Sequence, residues 1–454
     1  MSVNPADSTV FGGLFGSDAM RAVFSDAGFV QKMLDVEAAL ARVEARLGLI
    51  PAASADAITA AAKLERISLA EIGKSARTVG YPVVGLVKAL GRAAGGEASH
   101  HVHWGATTQD IMDSAVVLQM RDGLALVEAS LRRVVAGLAE QARRHRGTVM
   151  AGRTHLQHAL PITFGYKVAV WLAPLVDHLA RLAELRPRVL TLQFGGAVGT
   201  LASLGAKGRA VAEALAAELG LAAPAAPWHV DRARVVEAAA FLGLVCGSLA
   251  KLATDVMLLM QSELGEAFEP HQSGRGGSST MPQKRNPIAC EYVIAAARGV
   301  HALVPLLLNA MAQDHERATG PWQSEWLALP QIFVLSAGAL EHGAVLAEGL
   351  TVDAAKMRRN LDLHEGLIMA EAVMMALAEA IGRDTAHHVV QQACDRAIER
   401  KRPLAEMLAE DGAVKPYLDR AALDRLTDPA SYLGECDGVI DRVLAHAGAV
   451  VPSG

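Results

Sequence analysis

Three short polar segments interrupt an otherwise Ala- and Leu-rich chain and hold the side chains with chemistry to offer. They are His101–Asp113 (HVHWGATTQDIMD), Gly152–Lys167 (GRTHLQHALPITFGYK) and Ser273–Pro287 (SGRGGSSTMPQKRNP). The third is the most informative. Gly274, Gly276 and Gly277 open backbone conformations closed to other residues and let a ligand approach the main chain, so the stretch reads as a mobile loop. Downstream, Asn286 is expected to cap a helix whose first position is Pro287, which has the right φ and no N–H to leave unpaired. The positive end of that helix, beside Lys284 and Arg285, predicts a seat for a carboxylate or phosphate and therefore an anionic substrate.

In the second segment His155, Gln157 and His158 lie between basic and apolar residues; a histidine so placed is either a hydrogen-bonded core group or a catalyst. In the first, the HxH pair His101 and His103 raises the question of a metal. No carboxylate-and-His pattern follows, and His315–Thr319 (HERAT) is not HExxH, so no metal is expected. Trp104, Trp322 and Trp326 serve either as packing or as the wall of a pocket.

Long helices must position these segments. From Val117 the apolar residues fall at Met120, Leu124, Val127, Leu131, Val134 and Leu138, the alternating steps of three and four of a buried helix stripe. A second ladder runs Leu242, Val245, Leu249, Leu252, Val256 and Leu259. Helical texture returns over residues 20–48, 163–185, 289–311 and 326–350, and several long helices imply a bundle that builds its site from distant segments. No strand-like alternation of useful length is evident, and neither GxxxxGK[ST] nor GxGxxG occurs, so nucleotide-binding α/β folds are not expected. Three regions follow: an N-terminal helical part over 1–112, a central long-helix bundle over 113–351 carrying the loop 273–287, and a small helical C-terminal part over 352–454.

Composition agrees with an all-α protein. Of 454 residues 52% are hydrophobic but only 4% aromatic, which favours helix packing over sandwiches. The formal net charge is −5 and the basic residues form no tracts, which argues against nucleic acid as a partner. Cys246, Cys290, Cys394 and Cys436 are far apart and fit a reducing cytoplasm. The first twenty residues lack the pattern of a signal peptide, and the most apolar helix carries Lys251 and Asp255, so no membrane span is expected.

GSSTMPQKRNP closely resembles the signature GSSxMPxKxNP of the fumarase/aspartase superfamily, and the other two segments resemble that superfamily's remaining active-site regions, in the expected order. The resemblance covers essentially the whole chain. It implies an all-α fold with no cofactor, and homotetramers with a core of twenty long helices and active sites each built from three subunits. Within the superfamily the chain is most similar to the bacterial 3-carboxy-cis,cis-muconate cycloisomerase branch, through FGSDAMRAVFSD, LQFGGAVGTLASLG and GPWQSEWLALPQIF. Adenylosuccinate lyases share the MPxKRNP ending and the His315–Arg317 triplet. Where they usually carry phosphate ligands, this chain has Leu14-Phe15 and Ala318-Thr319-Gly320-Pro321-Trp322, which favours the cycloisomerase branch.

The resemblance assigns roles residue by residue. Ser278 corresponds to the group that moves a proton at carbon, with Ser279 as the neighbouring alternative; Lys284 and Asn286 correspond to ligands of a substrate carboxylate, and Met281, in the same signature, is counted with the substrate-binding residues. His155 matches the histidine that assists the leaving group in the lyases. His103, Thr107, Thr108, Arg153, Thr154 and Gln157 match pocket-lining positions. Arg317 and Arg21 are further ligands for a tricarboxylate or, equally, members of surface ion pairs.

Overall fold

The computed structural model describes residues 4–270, 276–317 and 319–450. Ser273 and Gly274 of the glycine-rich segment, and Ala318, lie outside the described residues. The chain is built of helices with two small two-stranded sheets. The long elements, in order, are α1 (Asp26–Arg46), α2 (Thr108–Arg144), the strands β1 (Val149–Thr154) and β2 (Gln157–Thr163), α3 (Phe164–Val189), α4 (Ala233–Leu259), α5 (Ile288–Asn309) and α6 (Pro321–Gly349). Two compact units arise, one from Met1–Leu131, His178–Ala250 and Tyr292–His342, the other from Arg132–Asp177, Lys251–Glu291 and Gly343–Gly454.

Both apolar ladders read from the sequence are buried stripes: every residue from Val117 to Leu138 in the α2 ladder, and from Leu242 to Leu259 in the α4 ladder, is sealed from solvent. At the head of α2 the Asp110 carboxylate reaches back to the Thr107 N–H (3.1 Å), while the Asp110 N–H donates to the Thr107 carbonyl, so this end is closed by its own first turn. Helices α4, α5 and α6 are long and apolar enough, by length and composition alone, to cross a membrane. In α4, however, Asp255 binds Lys251 and accepts from the Trp171 indole, an ion pair set within the apolar run.

One expectation fails. Residues 149–163 form an antiparallel hairpin, with Val149 opposite Thr163 and Thr154 opposite Gln157, where no strand was expected. Its turn is His155-Leu156, both in the left-handed region (φ 51° and 64°). Hairpin turns of this kind normally advertise themselves with Asn or Gly, and His-Leu gives no such sign. A second short pair, β3 (Ala267–Phe268) with β4 (Thr351–Val352), anchors the chain just before the glycine-rich loop.

The C-terminal helices Ala370–Ile381, Arg383–Arg400, Leu404–Glu410 and Arg420–Leu426 enclose a core of their own, made by Val373, Leu377, Val390, Leu404, Leu408 and Leu423.

Candidate active site

In the second unit the loop stem closes like a clasp. The Asn286 N–H donates to the Gly276 carbonyl (2.9 Å) and Gly277 bridges Arg285. Gly276 takes φ 67°, and a Cβ there would stand 2.7 Å from the Asn286 carbonyl oxygen, so this position needs glycine on both counts. Inside the loop the Ser278 hydroxyl oxygen accepts from the Thr280 N–H (3.3 Å) and the Met281 N–H (3.1 Å). Two amides aimed at that oxygen favour its deprotonated form. Ser279, Met281 and Lys284 are exposed, and Asn286 is half-buried.

The helix after the loop starts one residue later than predicted, at Ile288, with the Pro287 carbonyl accepting from Glu291 N–H. Its cap is Glu269, not Asn286: the buried carboxylate of Glu269 accepts from the Ala289 N–H (3.1 Å) and the Cys290 N–H (2.8 Å). This corrects the expected anion seat as well. The positive end of α5 is already satisfied by a carboxylate of the same chain, so it is not free to seat an anionic substrate.

The hairpin presents His155, Thr154 and Gln157 as exposed side chains at its tip, with Leu156 73% exposed. Arg153, at its stem, is held back. Its guanidinium pairs with both oxygens of the fully buried Glu266 (2.8 and 2.6 Å), and Asn360 donates to the same carboxylate (2.7 Å). Opposite it, burial lowers the His158 pKa, assisted by Arg153 and His364. Burial likewise lowers that of Lys167; Asp255 opposes this, while Lys251 and Arg153 add to it.

In the first unit, His103 sits in the left-handed region (φ 64°) with Nδ1 2.6 Å from Oε1 of the buried Glu37. Its HxH neighbour goes elsewhere: His101 Nδ1 meets the Ser54 hydroxyl at 3.1 Å. Thr107 and Thr108 are half-buried at the head of α2. Behind them stands a buried polar cluster that sequence reasoning missed. The Asp110 carboxylate accepts from Thr107 N–H, Gln193 Nε2, Gly195 N–H and Gly196 N–H, and meets His229 Nε2 at 2.7 Å. Asp113 and Glu325 clamp Arg232 from two sides (2.7 to 3.0 Å and 2.6 to 2.8 Å), and Trp322 donates to Asp113 at 3.0 Å. Burial alone would depress the Arg232 pKa; the two carboxylates hold it above its ordinary value.

Asp110, Asp113 and Glu325 were visible in polar stretches of the sequence. Arg232 and His229 were not, because nothing local marks residues that meet their partners across more than ninety positions. Arg317 donates to the Ala197 carbonyl (2.6 Å), tying the HER turn to the LQFGGAVG stretch, and Arg21 is engaged by Asp18 and the Gly12 carbonyl.

Known proteins resemble this chain along nearly its whole length. A family model described as "Lyase" matches residues 15–301, and one described as "Adenylosuccinate lyase C-terminus" matches 366–443. The chain belongs to the fumarase/aspartase superfamily. It is 54% identical, over 98% of each chain, to a 3-carboxy-cis,cis-muconate cycloisomerase of Pseudomonas aeruginosa. It is 46% identical to trans-aconitate decarboxylase 1 of Mycosarcoma maydis, over 95% of this chain and 88% of that one. Among solved structures, the 3-carboxy-cis,cis-muconate lactonizing enzyme of Pseudomonas putida superposes with a TM-score of 0.93 at 48% identity, covering 98% of this chain and all of that one.

Proposed function

We propose that this chain is an intramolecular lyase that interconverts 3-carboxy-cis,cis-muconate and 4-carboxymuconolactone in the protocatechuate branch of aromatic catabolism. The observation that carries the reading is 54% identity to a cycloisomerase along 98% of both chains, with the serine loop intact. A substrate carboxylate oxygen adds to the carbon bearing the third carboxylate, and the neighbouring carbon, α to another carboxylate, receives a proton. Ser278 delivers that proton; in reverse it removes one, helped by the Thr280 and Met281 amides. Lys284 and Asn286 hold the carboxylate into which the charge spreads. A departing carboxylate has a pKa of about 4 and needs no proton, so His155 orients or neutralises substrate more than it acts as an acid.

His103, Thr107, Thr108, Thr154, Gln157, Ser279 and Met281 are the further residues assigned to substrate binding, with Arg153, Arg317 and Arg21 as additional ligands. The working form is a cytoplasmic homotetramer whose sites are shared by three subunits, with the regions 1–112, 113–351 and 352–454 as its parts. Support comes from the open apolar surface of α5, where only 28% of the most apolar stretch is buried and Leu308 is 52% exposed, and from Leu327 on α6 at 64%. Such surface calls for cover by other copies.

The 46% identity to a decarboxylase favours a second reading, decarboxylation of trans-aconitate, another tricarboxylate whose reaction also leaves charge α to a carboxylate. Purified protein mixed separately with 3-carboxy-cis,cis-muconate, trans-aconitate and adenylosuccinate decides the matter. Loss of the diene absorbance identifies the cycloisomerase, CO2 release the decarboxylase, and a nucleotide absorbance change adenylosuccinate lyase; silence in all three points to another substrate, as for a different fumarate-releasing lyase of the superfamily, or to a non-catalytic relative.

A further inference from the structure

Among the pocket residues of the first unit, His103 alone has a buried carboxylate behind its ring. Glu37 comes from the middle of α1, its side chain has no solvent exposure, and its Oε1 stands 2.6 Å from His103 Nδ1. The other oxygen, Oε2, is buried without a partner among the described residues, so the histidine is what this carboxylate has to satisfy it. On the far side of the ring, Nε2 takes no hydrogen bond from the described residues, and the side chain keeps 19% of its surface open. The backbone that sets this pose is strained, because His103 is left-handed without being glycine, at a cost of order 1–3 kcal/mol. Two residues on, Gly105 packs so tightly that a Cβ would lie 2.5 Å from a Leu204 methyl. The turn is thus fixed from both sides.

We propose that Glu37 is a positioning residue that holds His103 by Nδ1 and keeps it an imidazolium, so that Nε2–H is presented to a carboxylate of the bound substrate. The charged groups that act on the ring are Glu37 from α1 and Asp110 from α2. Burial pulls the His103 pKa down, but the Glu37 charge and hydrogen bond, with Asp110, more than reverse it and leave it raised. Glu44, about two turns further along the same face of α1, has a pKa pushed up to about 9 by burial and by Glu37. It is therefore neutral at pH 7.

The inference rests on the reading of this site as one for a polycarboxylate, and its test separates the two. Diethyl pyrocarbonate reacts only with unprotonated imidazole. Labelling of the His103 peptide against pH, read by mass spectrometry on the intact wild-type enzyme, therefore gives the titration of this ring. The expected midpoint lies above the 6.5 of an ordinary histidine, and tricarballylate slows labelling. Glu37→Gln should bring the midpoint down and raise KM by about tenfold or more with a smaller change in kcat, while Glu37→Asp recovers part of the loss. A wild-type midpoint at or below 6.5, or a folded Glu37→Gln enzyme with unchanged KM and pH profile, overturns the inference. If instead the midpoint and tricarballylate protection hold but 3-carboxy-cis,cis-muconate is not consumed, the functional reading falls and the role of Glu37 stands.

Discussion

The polar cluster around Asp110, Asp113 and Arg232 and the two exposed segments that carry His155 and Ser278 meet the same problem, holding polar groups in place, by opposite means. In the cluster every charge is buried and answered: Arg232 by Asp113 and Glu325, Asp110 by five neighbours. In the exposed segments His155 and Lys284 are open to solvent and the half-buried Ser278 hydroxyl accepts from amides of its own loop, so that what is fixed is chiefly the backbone, through the Gly276–Asn286 clasp, the Glu269 cap and the left-handed His155-Leu156 turn. The contrast teaches that one region is finished by the fold of a single chain, whereas the other fixes its backbone and leaves its polar side chains largely unanswered. Breaking the first should cost stability, and breaking the second should cost turnover.

The largest effect is expected at Ser278. Ser278→Ala should lower kcat by about 10²–10⁴-fold, the usual weight of an acid–base group, with the melting temperature unchanged. His155→Asn should be milder. Steady-state kinetics on both variants decide the order; a larger loss at His155 would make the histidine the chief proton carrier.

Next comes Arg232. Arg232→Met leaves Asp113 and Glu325 as uncompensated buried carboxylates, which costs about 3–5 kcal/mol. Chemical denaturation should show the loss, and adding Asp113→Asn with Glu325→Gln should recover most of it. A stable single variant would mean that the cluster is less closed than its geometry indicates.

Glu44 sharpens the same side of the comparison, because it is the buried acid that nothing answers: both its oxygens lack partners among the described residues. Its folded pKa of about 9 exceeds the unfolded value of 4.5, so the folded state binds the extra proton. Its contribution is therefore present below pH 4.5 and is lost as pH rises towards 9, at up to about 1.4 kcal/mol per unit. Glu44→Gln should flatten that part of the stability–pH curve and raise the melting point at pH 8 more than at pH 5. Parallel curves would show that Glu44 is charged in the folded protein.

How legible each region was follows from its physics. The helices of the bundle were readable because burial imposes a period, and Val117 to Leu138 and Leu242 to Leu259 kept it. The loop string stood out because it is dense in glycine and polar residues, and Ser278 was singled out within it by the resemblance to the superfamily signature. The hairpin escaped because its strands are short and its turn is His-Leu, a pair that pays for its left-handed conformation without any glycine to announce it. The helix cap was misassigned because Asn286 is a good local candidate, whereas Glu269 wins from seventeen positions upstream, through a pairing that no local rule contains.

The smallest expected effect tests how far the loop's behaviour is a backbone property. Gly276 bears two separable constraints, a φ of 67° and a carbonyl oxygen 2.7 Å from where a Cβ would stand. The first costs an alanine about 1–2 kcal/mol, whereas asparagine tolerates it better. The second is the same for both. If conformation were the whole requirement, Gly276→Asn would behave nearly as wild type and only Gly276→Ala would suffer. Because the Asn286 carbonyl is backbone and cannot swing away, both variants should open the clasp and lower kcat by about tenfold while shifting the melting temperature little. A near-normal kcat for the asparagine variant would show that the stem yields, and that Ser278 is aimed by contacts made elsewhere in the loop.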